Sequence, residues 1–416
     1  MALIIQKYGG SSVANPERIK RVAQNIAKTR SESNQVVVVV SAIGDTTDEL
    51  INLAKQINPR PSNREMDMLL ATGEQVSIAL LAMALEAINV PVISLTGPKV
   101  GIITNQVHTK ARIKEIKTER INNELDKNKV VIVAGFQGKT DDNEITTLGR
   151  GGSDTTAVAL AAALKADLCE IYTDVEGVYT ADPRIIKNAR KLNQISYDEM
   201  LELASLGARV LHPRSVELAK LYRVPLCVRS SFTNKEGTLV VEERFLEKEM
   251  LVTGLAHDLN VAKIGLFDVP DRPGIASKIF NALAQANINV DMIIQSAMRH
   301  NKNDIAFTIP KDDLENALNI ARQVGKEIGV SEIVYADDIA KISIVGAGMI
   351  TSPGVAAKMF TTLAENNINI EMISTSEIKV SCIIKSSSVN TAMEVLHKAF
   401  NLDEIYNNNG VRNTAE

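Results

Sequence analysis

The sequence contains no tryptophan and only three cysteines among its 416 residues. Cys169, Cys227 and Cys382 form neither a disulfide framework nor a CxxC metal pair, and the five isolated histidines complete no zinc motif. The net charge of −4 gives no basic footprint for nucleic acid. No uninterrupted apolar run reaches the ~18 residues of a membrane span. We therefore expect a cytoplasmic protein that binds neither nucleic acid nor membranes and has no metal site of its own.

Two different patterns divide the chain, whose length predicts two or three domains. The first part alternates short β-branched runs, such as Val36 to Val40 and Val130 to Ala134, with helical patterns such as Pro16 to Thr29. Apolar runs without alternation are typical of strands covered on both faces, and alternating strands and helices indicate a mostly parallel sheet. We predict an α/β domain that ends near the charged stretch 242–249.

The second part contains an internal repeat. Asp271 to Ser296 and Thr351 to Ser376 are identical at thirteen of 26 aligned positions. Each copy follows a strand-like segment and precedes a further strand and a helix, which indicates the split βαβ motif. A Pro-Gly pair stands before each amphipathic helix, whose free N–H groups suit a carboxylate. A structural duplication without any ligand is the alternative.

A glycine pair near the start carries the first candidate chemistry. Gly9 and Gly10 follow a strand and precede a helix, so the backbone could approach a phosphate closely. Lys7, at the strand end, could neutralise a transferring phosphoryl group. The alternative is a tight turn beside a solvated lysine.

A second glycine-rich segment, TLGRGGSDTT at residues 147–156, stands before an Ala-rich helix. Three glycines so close together are costly in a simple turn, because glycine loses the most conformational freedom on folding. Arg150 could bind a carboxylate bidentately, and the glycines after it could form an anion nest. Asp154 would then orient Lys7 or the attacking group; otherwise it only caps its helix.

The segment TDVEGVYTADPR, residues 173–184, follows a strand, where open α/β sheets bind ligands. It offers the ring of Tyr179, the carboxylates of Asp174 and Asp182, and the cation of Arg184, which together suit a nucleotide. A long Asp-Pro turn is the alternative.

Glu74 stands in TGEQ, where Thr72 and Gln75 fit a capping box at the start of a long apolar helix. Its carboxylate either complements the helix dipole or binds a substrate ammonium.

The chain resembles the bacterial aspartate kinases over essentially its whole length. The resemblance is carried, in the family's order, by KYGGSS, VSAIGDTTDEL, REMDMLLATGEQVS, TLGRGGSDTTA, YTDVEGVYTADPR and the tandem PG…NIN repeats. It implies a three-layer αβα amino-acid kinase domain over residues 1–245. It also implies two ferredoxin-like ACT domains over 264–338 and 339–416, with a strand from 250–258 added to the second. The length is similar to that of a monofunctional aspartokinase.

The resemblance also implies the reaction. The γ-phosphoryl group of MgATP would pass to the β-carboxylate of L-aspartate, the first step toward lysine, threonine and methionine. Lys7 would stabilise that group, Asp154 would orient Lys7, Glu74 would hold the substrate ammonium and Arg150 its α-carboxylate. The ATP-binding residues would be Lys7, Tyr8, Gly9, Gly10, Ser11, Ser41, Thr173, Asp174, Tyr179, Asp182 and Arg184. The substrate-binding residues would be Thr47, Glu74, Arg150, Gly151, Gly152 and Ser153.

For the repeats, the resemblance implies feedback control by lysine, threonine or both, and a homo-oligomer formed through the ACT domains. The first repeat would supply Asp271, Arg272, Pro273, Gly274, Ile275, Ala276, Asn289, Val290, Asp291 and Gln295. The second would supply Val355, Asn369, Ile370, Ser376 and Glu377. Because Asp271, Asp291 and Gln295 become Thr351, Glu371 and Thr375, we expect the first repeat to dominate effector binding. A separate regulatory subunit that starts near Met250 is a further possibility.

Two other functions remain open from the sequence. The first is an amino-acid kinase for another substrate, such as glutamate, which the tandem repeats disfavour. The second is an inactive regulator that only binds amino acids, which the intact Lys7, Arg150 and Asp154 disfavour.

Overall fold

The structure, a computed structural model, describes residues 1–207, 210–242, 251–298, 300–350 and 352–403. These residues form two compact units. The first contains Met1–Val178, Lys191–Ser205 and residues 210–242. The second contains Tyr179–Arg190, residues 206–207 and the described residues from 251 onward.

The first unit alternates strands and helices. Its strands are β1 Leu3–Tyr8, β2 Gln35–Val40, β3 Val92–Leu95, β4 Ile102–Thr104, β5 Ile113–Ile116, β6 Val130–Ala134, β7 Gln137–Lys139, β8 Ile145–Thr147, β9 Leu168–Thr173, β10 Gln194–Ser196, β11 Leu226–Ser230 and β12 Thr238–Val241. Its helices are α1 Pro16–Ser31, α2 Thr46–Ile57, α3 Asn63–Glu86, α4 Gly97–Val100, α5 Glu119–Leu125, α6 Gly152–Leu164, α7 Tyr197–Ser205 and α8 Pro213–Tyr222. A 3₁₀ turn spans Gly10–Val13.

The main sheet has the order β10-β12-β11-β9-β1-β2-β6-β3 among the described strands. Its neighbours are parallel except for the antiparallel pair β11–β12. Val36, Val38 and Val40 pack with α1 and α3 in one core, whereas α6 lies against the opposite face beside Val39. The β-branched runs are therefore buried on both sides, and the predicted α/β class is confirmed. A smaller sheet, β5-β4-β7-β8, completes the first unit.

Helix α3 begins ten residues earlier than the sequence indicated. Its N-cap is Ser62, whose side chain accepts from the Glu65 N–H group, and Thr72 lies mid-helix with its hydroxyl donating to the Leu69 carbonyl. The predicted capping box is therefore wrong. A Cβ at Gly73 would lie 2.9 Å from the Ala42 Cβ, so this glycine serves a close contact and does not begin the helix.

By length and composition alone, α3 could also cross a membrane. Leu70, Ile78, Leu81 and Leu85 of this helix are buried in the protein, and a core helix passes the same test. Its apolar composition is therefore weak evidence for a membrane span.

The second unit contains both repeats. Its strands are β13 Gly254–Asp258, β14 Ala262–Pro270, β15 Ile293–Gln295, β16 Lys302–Ile309, β17 Glu332–Ala336, β18 Ile339–Val345, β19 Met372–Thr375 and β20 Lys379–Lys385. Its helices are α9 Ile275–Gln285, α10 Leu314–Ile328, α11 Val355–Glu365 and α12 Val389–Ala399. The sheet orders are β15-β16-β14-β17 and β13-β18-β20-β19, each fully antiparallel. The second repeat thus takes its edge strand from a segment that precedes the first repeat.

The segment Tyr179–Arg190 leaves the first unit and folds into the core of the second repeat. Ala181 and Ile186 are buried in that core, and the Thr180 carbonyl accepts from the Leu255 N–H group at 2.7 Å. The predicted domain ranges assign this segment to the first domain, because nothing in the local sequence shows in which core its two apolar side chains are buried.

His397 of α12 should make the stability of the second unit depend on pH. It is 2% exposed, and its Nε2 atom lies 3.0 Å from the Thr180 hydroxyl. Burial lowers the pKa of His397 below its usual 6.5. The negative charge of Asp403 acts to raise this pKa, and the positive charge of Arg190 lowers it further. The unfolded chain therefore binds more protons below about pH 6.5, so the free energy of unfolding should fall as the pH falls below that value.

Chemical denaturation between about pH 8 and pH 5.5 measures this dependence. His397→Gln, which keeps a polar group near Thr180, should flatten it, whereas an unchanged slope in the variant would assign the effect to other groups.

Candidate active site

The loops that follow β1 and β2 meet at one edge of the parallel sheet. β1 pairs with β2 on one side and β9 on the other, so Lys7 lies level with Val39 and Ile171. The Ser41 N–H group donates to the Tyr8 carbonyl at 3.1 Å, which ties the two loops together. Open α/β sheets bind their ligands outside this carboxyl edge.

Lys7 and Asp154 form a largely enclosed ion pair at this edge. The Lys7 Nζ atom lies 2.7 Å from Asp154 Oδ1, and the two side chains are only 12% and 13% exposed. The buried Oδ1 atom makes no aligned hydrogen bond, so the contact is ionic. An ammonium group has three donors, and one carboxylate contact leaves donors for a ligand anion. The structure thus brings together two residues that the sequence predicts to act as a pair.

The two glycines after β1 have different roles. A Cβ at Gly10 would lie 2.8 Å from the carbonyl oxygens of Ala42 and Gly44, so a larger residue would separate the two loops. A Cβ at Gly9 would lie 3.4 Å from the Lys7 Nζ atom. Glycine at position 9 therefore leaves the ammonium group uncovered, as an approaching phosphate requires.

Not every predicted nucleotide-binding residue after β1 and β2 can contact a nucleotide with its side chain. The Tyr8 side chain is fully buried and stacks on Tyr172, with 4.6 Å between the ring centroids. The predicted nucleotide contact of Tyr8 can therefore involve only its backbone. Ser11 is exposed and Ser41 is partly buried, so both remain accessible at the edge.

The loop that presents Arg150 depends on two glycines with positive φ. Gly149 has φ +77° and Gly151 has φ +68°, and the Arg150 side chain between them is exposed. A Cβ at Gly151 would lie 2.1 Å from Cγ of His212. Gly151 is also the N-cap of α6 and offers no side-chain cap, so the first turn around Gly152 suits an anion.

Two residues that sequence reasoning missed hold this loop in place. Asp67 of α3 is fully buried and accepts from the Thr109 N–H group at 3.0 Å and the Thr147 hydroxyl at 2.5 Å. Arg214 donates to the Leu148 carbonyl at 2.9 Å. The sequence signal for Asp67 was an acidic residue next to the apolar run of α3, whereas no sequence signal marked Arg214.

His212, which caps α8, also packs beside this loop. Burial lowers the pKa of His212, although the negative charge of Asp154 acts to raise it. The neutral ring fits beside Gly151 as a packing group.

Glu74 presents a buried carboxylate oxygen without a partner. Its side chain is 3% exposed, and Oε1 accepts from the Ala42 N–H group at 3.2 Å. Oε2 is buried and makes no hydrogen bond, and burial raises the pKa of this carboxyl to about 7. An unpaired buried acceptor costs free energy unless a ligand donates to it. Thr47, in the first turn of α2, is partly buried.

The end of β9 joins the same edge. The Ser231 hydroxyl donates to the Thr173 carbonyl at 3.3 Å and accepts from the Ser12 hydroxyl at 2.9 Å. The Thr173 hydroxyl donates to Asp174, whose side chain is exposed.

Tyr179, Asp182 and Arg184 lie in the second unit, and the structure does not group them with the residues at this sheet edge. Arg184 donates to Asp182 at 2.7 Å and holds the pKa of that carboxyl below its usual range. Their nucleotide contacts stay a prediction.

Comparison of the chain with known protein families and relatives identifies its family. A profile of the amino acid kinase family matches residues 2–230, and an ACT domain profile matches 268–324 and 342–400. The chain is 54% identical to the aspartokinase of Thermus thermophilus over 406 residues, which covers 97% of this chain and 100% of the relative. The chain belongs to the aspartokinase family. It is therefore an ATP-dependent kinase, and the resemblance predicted from the sequence is confirmed.

Solved structures of the aspartokinase family share the fold. E. coli aspartokinase III in complex with aspartate and ADP (R-state) has a TM-score of 0.81 at 25% identity, covering 95% of this chain and 99% of that one. The complex of the same enzyme with lysine and aspartate (T-state) has a TM-score of 0.76 at 26% identity, covering 96% and 99%. The predicted combination of an amino-acid kinase fold with ACT domains is confirmed.

Both ACT repeats of this aspartokinase-family chain begin their first helix after a glycine with positive φ. Gly274 has φ +91° and Gly354 has φ +92°, neither helix has a side-chain cap, and a Cβ at either glycine would meet open space. The first-turn N–H groups are therefore accessible to a carboxylate. The residues before and within the first turn of α9 are exposed or partly exposed: Asp271, Arg272, Pro273, Ile275 and Ala276.

Reciprocal ion pairs join the two repeats. Asp291 of the first repeat binds Lys341 of β18, and Glu371 of the second binds Lys263 of β14. Lys341 is only 4% exposed, whereas the Asp291 side chain is 44% exposed. A shared apolar cluster lies alongside, formed by Val261, Met292, Ile339, Met372 and Ile383. The AKI triplets around the two lysines were the sequence signal for this pairing.

The other predicted effector residues divide by exposure. Val355 is buried as the first residue of α11, and Val290 and Ile370 are partly buried against the two repeat cores. The exposed members are Asn289, Gln295, Asn369, Ser376 and Glu377.

Proposed function

We propose that the chain transfers the γ-phosphoryl group of MgATP to the β-carboxylate of L-aspartate, which gives 4-phospho-L-aspartate and ADP. The unpaired Oε2 atom of Glu74 is the observation that carries this assignment, because a substrate ammonium would satisfy it. Arg150, exposed between Gly149 and Gly151, would hold the α-carboxylate bidentately. An amino acid held by its ammonium and α-carboxylate groups leaves its side-chain carboxylate free to reach a third group, which we assign as Lys7.

Phosphoryl transfer needs positioning and charge stabilisation and no covalent nucleophile. A β-carboxylate oxygen forms the new bond to phosphorus as the bond to the ADP oxygen breaks. Lys7, held by Asp154, would stabilise the negative charge that develops, and Gly9 leaves its ammonium open to the phosphoryl oxygens.

The residues at this edge fit a metal that arrives with the nucleotide. Among the described residues, no group of three or more His, Cys, Asp or Glu side chains could hold a metal ion. Asp154 is paired with Lys7, which leaves Asp174 as the exposed carboxylate of the segment after β9. MgATP supplies the transferable phosphoryl group and the phosphate oxygens that Mg²⁺ prefers. Ser11, Ser41 and Asp174 would border it.

We further propose that the reaction is the first step of lysine, threonine and methionine synthesis and that these end products inhibit it through the ACT domains. The accessible helix N-termini at Gly274 and Gly354 support an amino-acid effector. E. coli aspartokinase III in complex with lysine makes lysine the first effector to test, with threonine alongside. Assembly through the ACT domains stays a prediction, and Met250, the predicted start of a separate subunit, lies outside the described residues.

An ADP-release assay tests the reaction. Turnover should require L-aspartate, should not be supported by L-glutamate, and should fall when lysine, threonine or both are added. Absence of aspartate-dependent turnover would refute the proposal, and glutamate turnover would favour another kinase of the same fold.

Asp291→Ala should abolish feedback inhibition, because the variant removes a carboxylate that we assign to effector binding in the first repeat. Inhibition curves for lysine and threonine measure the effect. Loss of this carboxylate also leaves the buried Lys341 ammonium unpaired, so a thermal unfolding curve must accompany the assay.

Glu371→Ala is the matched control, because it breaks the reciprocal pair with Lys263 and leaves the predicted effector residues of the first repeat unchanged. It should retain inhibition. Unchanged inhibition in Asp291→Ala, or equal loss in both variants, would contradict a dominant first repeat.

A further inference from the structure

The turn at residues 108–110 is strained and lies against the loop that presents Arg150. Thr109 has φ +65°, and among the described residues it is the one β-branched residue with a positive φ. This backbone conformation is an outlier for threonine, and it persists only where the surrounding structure holds it. A Cβ at Gly149 would lie 2.9 Å from the Thr109 carbonyl oxygen. The strained residue therefore packs against the glycine that immediately precedes Arg150.

Asp67 of α3 holds this turn through both oxygens of its carboxylate. The Thr109 N–H group lies 3.0 Å from Oδ1 and 3.1 Å from Oδ2, and the His108 Nδ1 atom lies 2.7 Å from Oδ2. The Thr147 hydroxyl donates to Oδ1 at 2.5 Å, which attaches the same carboxylate to the strand that leads into the Arg150 loop. Asp67 is fully buried. Because a buried carboxylate is costly without hydrogen bonds, these contacts are expensive to break.

Arg214 holds the same two segments through their carbonyl groups. It donates to the Leu148 carbonyl and to the Ala111 carbonyl, both at 2.9 Å. The Ala111 N–H group in turn donates to the Thr147 carbonyl at 2.9 Å. An acid that accepts from donors and a guanidinium that donates to carbonyls thus hold the segment after β4 against the segment after β8.

Asp67 and Glu74 lie on the same face of α3, seven residues or two helical turns apart. They are the two acidic residues among the buried positions of this helix. Seven residues of α-helix span about 10 Å along the axis. One helix therefore sets the spacing between the carboxylate that we assign to the substrate ammonium and the carboxylate that holds the Arg150 loop.

We propose that Asp67 is a positioning residue for L-aspartate binding, which fixes Arg150 at the distance from Glu74 that an α-amino acid requires. This inference rests on the proposed function, because it takes Arg150 to bind the α-carboxylate and Glu74 to bind the ammonium group. Asp67 is fully buried and its oxygens are occupied by protein donors, so it acts through the Arg150 loop and not on the substrate.

The hold on the loop should matter for aspartate affinity and not for the chemical step. An arginine whose loop is ordered before the ligand arrives loses less conformational freedom on binding. Loosening the loop weakens the binding of the ground state and of the transition state equally, so KM for aspartate rises while kcat is unchanged. KM for MgATP should also be unchanged, because the predicted nucleotide residues lie on other loops.

Thr147→Val and Thr146→Val form a matched pair of variants. Both threonines are buried in β8, and the hydroxyl of Thr146 makes its own buried contact with Thr104 at 2.6 Å. Adjacent strand residues point to opposite faces, so only Thr147→Val changes the contacts of Asp67.

Thr147→Val should raise KM for aspartate about tenfold, with kcat and KM for MgATP within about twofold of wild type. Thr146→Val should leave all three constants unchanged. Asp67→Asn, which sets an amide donor against the Thr109 N–H group, should raise KM for aspartate further. An equal KM for aspartate in the two threonine variants would overturn the proposal, and so would a parallel rise in KM for MgATP.

Tryptic cleavage after Arg150 tests the same positioning without any assumption about the substrate. Arg150 is exposed, so the rate at which trypsin cuts the Arg150–Gly151 bond of the full chain reports how readily the loop opens. Mass spectrometry of the fragments should show cleavage at this bond about tenfold faster in Thr147→Val than in Thr146→Val or wild type. Faster cleavage would support the role of Asp67 even if the wild type showed no aspartate turnover, which would refute the proposed function alone. Equal cleavage rates in the two threonine variants would overturn the role of Asp67.

Discussion

Replacing Lys7 with alanine is expected to lower kcat by roughly three orders of magnitude, because charge stabilisation is the main contribution to phosphoryl transfer. The Lys7 side chain is only 12% exposed and its Nζ atom lies 2.7 Å from Asp154, so water cannot easily replace it in the variant. KM for aspartate should change much less, since the ammonium and α-carboxylate of the substrate are assigned to Glu74 and Arg150. A coupled ADP-release assay at saturating MgATP and aspartate measures both constants.

Lys114→Ala is the matched control for this variant. Lys114 also pairs with an aspartate, Asp141, but both side chains are more than half exposed and lie on β5 and after β7. Its loss should leave kcat unchanged. A thermal unfolding curve separates catalysis from stability, because Lys7→Ala leaves Asp154 without its partner. A folded Lys7→Ala variant with a kcat within tenfold of wild type would remove Lys7 from the centre of the mechanism.

The sequence was informative where chemistry depends on residues close together in the chain. Gly9 and Gly10 beside Lys7 mark a strand-to-helix turn, and in the structure a Cβ at Gly10 would lie 2.8 Å from two backbone carbonyl oxygens. The Lys7–Asp154 pair was also predictable, because Lys7 stands near the end of β1 and Asp154 stands in the first turn of α6, each beside a glycine-rich segment. The internal repeat predicted two similar folding units without any structural information.

The sequence was less informative where a contact joins distant segments. Arg214 supports the Arg150 loop from 64 residues away, and no local pattern marks an arginine that donates to backbone carbonyls. The start of α3 was misplaced because Gly73 looks like a helix boundary, although it marks the close approach of Ala42. Tyr179–Arg190 was assigned to the kinase fold by its motif, whereas its burial depends on the core of the second repeat.

Replacing Glu74 with glutamine should have opposite effects on substrate binding and on stability. The variant removes the charge that we assign to the substrate ammonium, so KM for aspartate should rise about 100-fold or more. KM for MgATP should remain near the wild-type value. In the wild type, KM for aspartate should also rise as the pH falls below about 7, because burial raises the pKa of Glu74 to about 7 and the neutral carboxyl attracts an ammonium weakly.

Glu74→Gln should weaken aspartate binding but increase the stability of the ligand-free protein. A carboxyl whose pKa is raised in the folded state favours folding at low pH, and this contribution is lost as the pH rises from the unfolded value of 4.5 to about 7. At pH 8 the wild type therefore bears the full cost of a buried, unpaired charge, on the order of 3 kcal/mol, which Glu74→Gln removes. Thermal unfolding without ligand should give the variant the higher Tm at pH 8, with the difference vanishing toward pH 5.

Glu86→Gln, an exposed change on the same helix, is the control and should alter neither quantity. A Glu74→Gln variant that binds aspartate normally would show that the buried carboxylate serves the fold alone. A variant that is less stable at pH 8 would show that Oε2 already has a partner in the free protein. Gain of stability together with loss of aspartate affinity is the combination that distinguishes a substrate-binding carboxylate from a structural one, because only the former keeps an unpaired charge until the ligand arrives.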